Sequence, residues 1–196
     1  IIKPNNNTLS AITALPAADG SSLTGIPNDA VQIASASGGG TTTQVFNNCF
    51  SSTYEHYMIL ASIQPSATGQ INLRLQNSSN VEIASNYYYS GRNAFQGSGS
   101  QGGSAIGAWG ANQISPEFNV LGNPHAFYKI FVFKPFQSAK TVIDLRFHCQ
   151  QNYSEQFNSS SVTGTLDETT ICAGFRFVST NGNINSTSSF RIYGFK

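Results

Sequence analysis

Charge is scarce in this chain. Only 10% of its 196 residues are Asp, Glu, Lys or Arg, against a usual share of about a quarter. Ten basic side chains nearly cancel nine acidic ones, leaving a formal net charge of +1. A balance of that kind excludes a counterion-release footprint for nucleic acid and a polybasic patch for anionic lipid. Long apolar runs are missing too, so no segment is built as a membrane-spanning helix, and no charged-then-apolar leader opens the chain. Cysteine is limited to Cys49, Cys149 and Cys172, with no CxxC spacing. Each lies in a strand-like apolar run, where a free thiol acts as a small buried hydrophobe. One disulfide beside one free thiol is the other arrangement the count allows.

Also lacking is any helical period. From Gln44 onward the pattern has a period of two, which argues for strands. In QINLRLQ, Ile71, Leu73 and Leu75 face one way and Asn72, Arg74 and Gln76 the other. KTVIDLRFHC divides Ile143, Leu145 and Phe147 from Asp144, Arg146 and His148. Asp144 then has Arg146 or Arg74 as its candidate partner. AFYKIFVFK is apolar on both faces, as a central strand with a second partner would be. Eight strand-like runs result, leaving aside the less regular stretch from Ile114 to Leu121. Strands parted by Gly, Asn and Ser, without helices between them, predict an all-β fold. The expected form is a jelly-roll-like antiparallel β-sandwich over residues 44–196, preceded by an extended N-terminal assembly segment over residues 1–43. Gly38 to Gly40 reads as a hinge between the two. Residues 90–113 and 150–164 read as long loops.

The chemistry of catalysis is hard to find. GSGSQG, from Gly97 to Gly102, matches a dinucleotide fingerprint only in form, because no βα unit surrounds it. His56, His125 and His148 are widely spaced, and the neighbours Glu55 and Cys149 would point to opposite strand faces, so no metal site is expected. The carboxylates Glu55, Glu82, Glu117, Asp144, Glu155, Asp167 and Glu168 show no pattern marking an acid pair of the glycosidase kind. The expectation is a protein that is not an enzyme and needs no cofactor. Five N-x-S/T triplets, at Asn6, Asn77, Asn152, Asn158 and Asn185, follow from an Asn- and Ser-rich composition.

Neutral aromatic residues are more suggestive. Tyr87, Tyr88, Tyr89, Arg92, Phe95 and Trp109 cluster in and beside the first loop, with Tyr153 and Phe157 in the second. Flat amphipathic rings among Ser, Gly and Asn give contact area at little entropic cost, as binding loops require. An uncharged glycan would suit them. The competing reading is that two of the three tyrosines pack into the sheet and Trp109 plugs the loop.

The first 43 residues carry Leu15, Leu23, Ile26 and Val31 singly between turn formers. Pro4, Pro16 and Pro27 forbid a long helix there. These side chains need symmetry mates or the body to bury them, which makes them candidate assembly residues. An initial Ile suggests that something was removed or that the chain ends a longer polypeptide.

DGSSLTGIPNDAV, approached through LPAA, and the closing FRIYGFK resemble the C-terminal part of phage tail-fibre and related virion appendage proteins. The resemblance implies a homotrimer on the outer surface of a virion, joined to other virion proteins through its N-terminal segment. Its heads would bind a bacterial surface glycan or protein, without nucleic acid and without membrane insertion. Alternatives are a capsid decoration, head-fibre or collar knob protein, and a polysaccharide depolymerase.

Overall fold

Phenylalanine and tyrosine decide how this chain closes. The computed structural model describes residues 30–97, 100–120, 125–150 and 157–196. Leu15, Leu23, Ile26 and Tyr153 lie outside them. Eleven antiparallel strands among the described residues form two sheets, and no helix occurs there. The larger sheet holds β1 (Val31–Ser37), β11 (Ser189–Phe195), β3 (His56–Ile63), β7 (Ala126–Phe133), β8 (Thr141–Gln150), β9 (Phe157–Leu166), β5 (Tyr87–Gly97) and β6 (Ser100–Ala111), in that order. The smaller holds β2 (Thr43–Phe46), β10 (Cys172–Ser179) and β4 (Ile71–Asn77). The expected β-sandwich is there, unequally divided.

Alternation places the core. Tyr57, Ile59 and Ile63 of β3, Tyr128, Ile130 and Val132 of β7, and Ile143, Leu145 and Phe147 of β8 are all buried. They meet Phe46 of β2 and Phe175 and Phe177 of β10. Phe46 stacks on Phe175 at 4.8 Å, Phe177 approaches Phe190 at 5.5 Å, and Tyr128 approaches Phe177 at 5.6 Å. Each such pair adds roughly 0.5–1.5 kcal/mol beyond its area burial.

Several expectations need correction. The glycine-rich stretch after Ser90 is a hairpin of β5 and β6, with β5 also paired along its length to β9. Its glycines look like loop residues in the sequence, yet they permit close backbone approach. A Cβ on Gly91 would sit 2.2 Å from the Ser161 carbonyl oxygen. Much of the second expected loop is β9 itself. The expected boundary at residue 44 falls within β2, and β1 upstream of it pairs with β11. Gly38 to Gly40 is therefore a tethered turn rather than a hinge. Gly38 N–H donates to the Ser188 carbonyl at 3.0 Å and Gly40 N–H to the Ile184 carbonyl at 2.9 Å.

The irregular stretch after Gln113 extends the small sheet over the core. Ile114 and Leu73 exchange backbone hydrogen bonds of 2.9 and 3.0 Å, and Val120 and Gly69 do the same at 2.8 and 3.0 Å. Between them Phe118 reaches Phe147 at 6.3 Å. All three cysteines are free. Burial pushes the thiol of Cys49 up to about 12 and those of Cys149 and Cys172 up to about 11. They stay protonated and poorly nucleophilic at neutral pH.

On the outside of the small sheet, Arg74 lies directly opposite Arg176. Glu82 accepts from Arg74 Nη1 at 2.5 Å and from Arg176 Nη1 at 3.0 Å, while Gln113 Oε1 takes Arg74 Nε and Nη2. One carboxylate thus bridges two half-buried guanidinium groups. Glu82→Gln leaves them facing each other, and we expect it to cost about 1–3 kcal/mol in urea unfolding. An unchanged unfolding midpoint would mean that solvent already screens the pair.

Candidate functional site

The small sheet covers only one face of the large one. Turning Ile59, Ile130, Ile143 and Val162 inward sends the alternate residues of β3, β7, β8 and β9 to the other face. Registers then align them in rows across the sheet. In one row, Arg191 is opposite Leu60, Leu60 opposite Lys129, Lys129 opposite Arg146, Arg146 opposite Ser161, and Ser161 opposite Arg92. The next row brings Ser62, Phe127, His148, Ser159 and Ala94 into line. Opposed side chains lie roughly 4.5–5.5 Å apart at Cβ.

Three adjoining hollows of about 740, 560 and 880 Å³ occupy this surface. His148 lines all three, and Arg146 lines the first two. Phe127, 56% exposed, separates the first from the third, and Phe157, 61% exposed, borders the third. The hydroxyls of Ser159, Ser161 and Thr163 run along β9 beside them. Lys129 Nζ stands 5.2 Å over the ring of Phe131, and Arg146 Nε lies 3.9 Å from Asp144 Oδ2. Asp144 therefore pairs with Arg146, the nearer of its two expected partners.

At one end of the same face stands an aromatic clip. Trp109 is 90% exposed and meets Tyr88 edge-on at 5.9 Å. The left-handed Gly110, at φ 63°, and the irregular pairing between Tyr87 and Tyr89 accompany this arrangement at the sheet edge. Ser90, Thr163 and Thr165 complete a shallow depression of about 410 Å³ beside the two rings.

The residues expected to bind a ligand are thus divided. Tyr88, Arg92 and Trp109 share the outer face. Tyr87 does not: it is fully buried, its hydroxyl donating to the Ile83 carbonyl at 3.0 Å and accepting the Leu75 N–H at 2.7 Å. Burial pushes that phenol well above its ordinary value. Tyr89 follows it inward, half-buried, donating to Glu117 Oε1 at 3.0 Å. Its phenol is pushed up to about 12 by burial and by that carboxylate. Phe95 alternates away from Arg92, with its ring 2.4 Å from where a Cβ on Gly102 would sit, yet it is 43% exposed and lines the third hollow. Two of the three tyrosines do pack into the sheet, while Trp109 is no plug. Of the expected assembly residues, Val31 is half-buried in β1 at a sheet edge, opposite Gly194.

Sequence reasoning passed over Lys129, Arg146, Arg191 and His148 as parts of a site. Their strand faces were readable, but the registers that line them up were not. Among the described residues no three potential metal ligands group together. His125 Nδ1 instead shares a 2.9 Å hydrogen bond with Ser62 Oγ. Compared with protein-family models, curated proteins and solved structures, the chain matches none.

The division between Tyr87 and Tyr88 is testable. Tyr87→Phe strips the buried Leu75 N–H of its acceptor and should lower stability by about 1–3 kcal/mol. A thermal melt reads the loss, and ligand capture by the folded variant should equal that of the parent.

Proposed function

We propose that this chain is a non-catalytic recognition module that binds a glycan on the outer face of its eight-stranded sheet. The observation that carries this is the joint placement of the exposed Trp109–Tyr88 pair with hydroxyl-lined strands on one uncovered, hollowed face. Aromatic faces stack on the apolar side of a sugar ring. The Ser and Thr hydroxyls of β9 and β5 can both give and take hydrogen bonds with sugar hydroxyls. Shallow hollows suit a ligand gripped from one side, with modest affinity per site.

Modest single sites favour repetition. The resemblance of DGSSLTGIPNDAV and FRIYGFK to virion appendages supports a homotrimer that displays this face at the tip of a tail fibre or spike, toward a bacterial surface. Three such heads gain by avidity what one lacks, since the second and third contacts form at high effective concentration.

Two measurements check this reading. On a panel of neutral and acidic bacterial polysaccharides, the double variant Trp109→Ala, Tyr88→Ala should lose about tenfold or more in binding. Its melting temperature should stay near that of the parent, because the tryptophan is a surface residue. Unaltered binding by the folded variant would remove this face from the function. Sedimentation of the whole chain at micromolar concentration should give about three times the 21.0 kDa chain mass. A 21.0 kDa species would overturn the trimer.

A further inference from the structure

The outer face is far more basic than the chain. Its eight strands contain one carboxylate, Asp144, and a line of four cations, Arg191, Lys129, Arg146 and Arg92. Those four are drawn from only ten Lys and Arg in the whole sequence. The other sheet shows the contrast, because its facing arginines Arg74 and Arg176 share Glu82. On the large sheet, Arg92, Lys129 and Arg191 form no ion pair among the described residues. Arg146 holds Asp144 only at 3.9 Å. Moreover, Lys129 sits directly opposite Arg146, an arrangement of like charges that weakens a sheet. A fold that bridges one arginine pair with a shared carboxylate leaves Arg92, Lys129 and Arg191 without one.

From these observations we infer that the ligand of the outer face is an acidic glycan, one whose carboxylate, sulfate or phosphate groups neutralise the row Arg191–Lys129–Arg146–Arg92. This deepens the recognition reading and rests on it. The row crosses five strand spacings, roughly 24 Å, so it meets an extended chain rather than a single sugar. Between the cations stand Ser161 and, in the neighbouring rows, Ser159 and Thr163. Leu60 parts Arg191 from Lys129, Lys129 and Arg146 are adjacent, and Ser161 parts Arg146 from Arg92, so the charges come at uneven intervals with hydroxyls beside them. A polysaccharide bearing acid groups at intervals has that pattern, whereas a nucleic acid presents a phosphate at every step and needs a denser basic track. Arg92 and Arg146 supply planar forks for paired hydrogen bonds to an oxyanion, and Lys129 a point charge held over Phe131. The net charge near zero hides this, because Glu55, Glu82, Glu117, Asp167 and Glu168 all fall outside the eight strands.

The test uses the full chain and matched probes: polygalacturonate against its methyl ester, dextran sulfate against dextran, and a single-stranded DNA oligonucleotide. Calorimetry or biolayer interferometry at low salt should show an acidic polysaccharide binding at least about tenfold tighter than its neutral counterpart. Raising the salt should erode that preference. Arg92→Gln with Arg146→Gln should cost about tenfold or more toward the acidic probe. Lys134→Gln, which removes a cation outside the row, should stay within about twofold. Equal binding of acidic and neutral partners would overturn the inference while leaving glycan recognition standing. Failure of every polysaccharide to bind the folded protein would overturn both. DNA binding as tightly as the acidic glycan, and weakened by the same double variant, would replace the glycan with a nucleic acid.

Discussion

Phe175 and Phe177 on β10 hold the molecule together. One ring stacks toward Phe46 and Phe50, the other reaches Tyr128 and Phe190, and through them the two sheets become one body. β10 is buried nearly throughout, from Cys172 to Phe175, because it lies in the middle of the small sheet with neighbours on both sides. Everything that gives the large sheet a covered face and an open one follows from where this strand docks. Three strands and the Ile114–Val120 extension bury one side of the central strands, while the edge strand β6 stays exposed on both faces.

That asymmetry produces two surfaces with different electrostatic solutions. Behind the small sheet, Glu82 bridges Arg74 and Arg176 and Gln113 takes Arg74, although Arg176 Nε has no hydrogen-bond partner among the described residues. Across the large sheet the cations stand at the solvent side with aromatic rings and hydroxyls between them. Bridged charges contribute to stability and specificity of fold, while open ones remain available to a partner. The contrast within one chain, where charged residues are few, gives the open row its weight.

Much of the sandwich was legible in the sequence. The alternation of QINLRLQ and KTVIDLRFHC placed Ile71, Leu73, Leu75, Ile143, Leu145 and Phe147 inside, as the structure does. The doubly apolar AFYKIFVFK is a central strand, with Tyr128, Ile130 and Val132 in the core and Phe127 and Phe133 on the open face. Glycine misled most. In the β5–β6 hairpin it looked like loop, because its poor intrinsic strand preference says nothing about the close backbone approach that Gly91 permits beside Ser161. Tyr87, Tyr88 and Tyr89 were equally plausible ligand contacts in sequence. Period-two geometry sends the first and third inward, and only the paired neighbours reveal which parity is which.

The sequence by itself determined the strand class, the inward face of most strands and the residue types from which a binding surface could be made. Those are local properties, set by side-chain alternation and by the cost of leaving apolar groups in water. Tertiary structure alone decided that Arg191, Lys129, Arg146 and Arg92 form one row, and that Trp109 stands free beside Tyr88. The reason is register. Residues separated by tens of positions become neighbours only when strands pair at a particular offset, and that offset is selected by the whole packed core rather than by any segment within it.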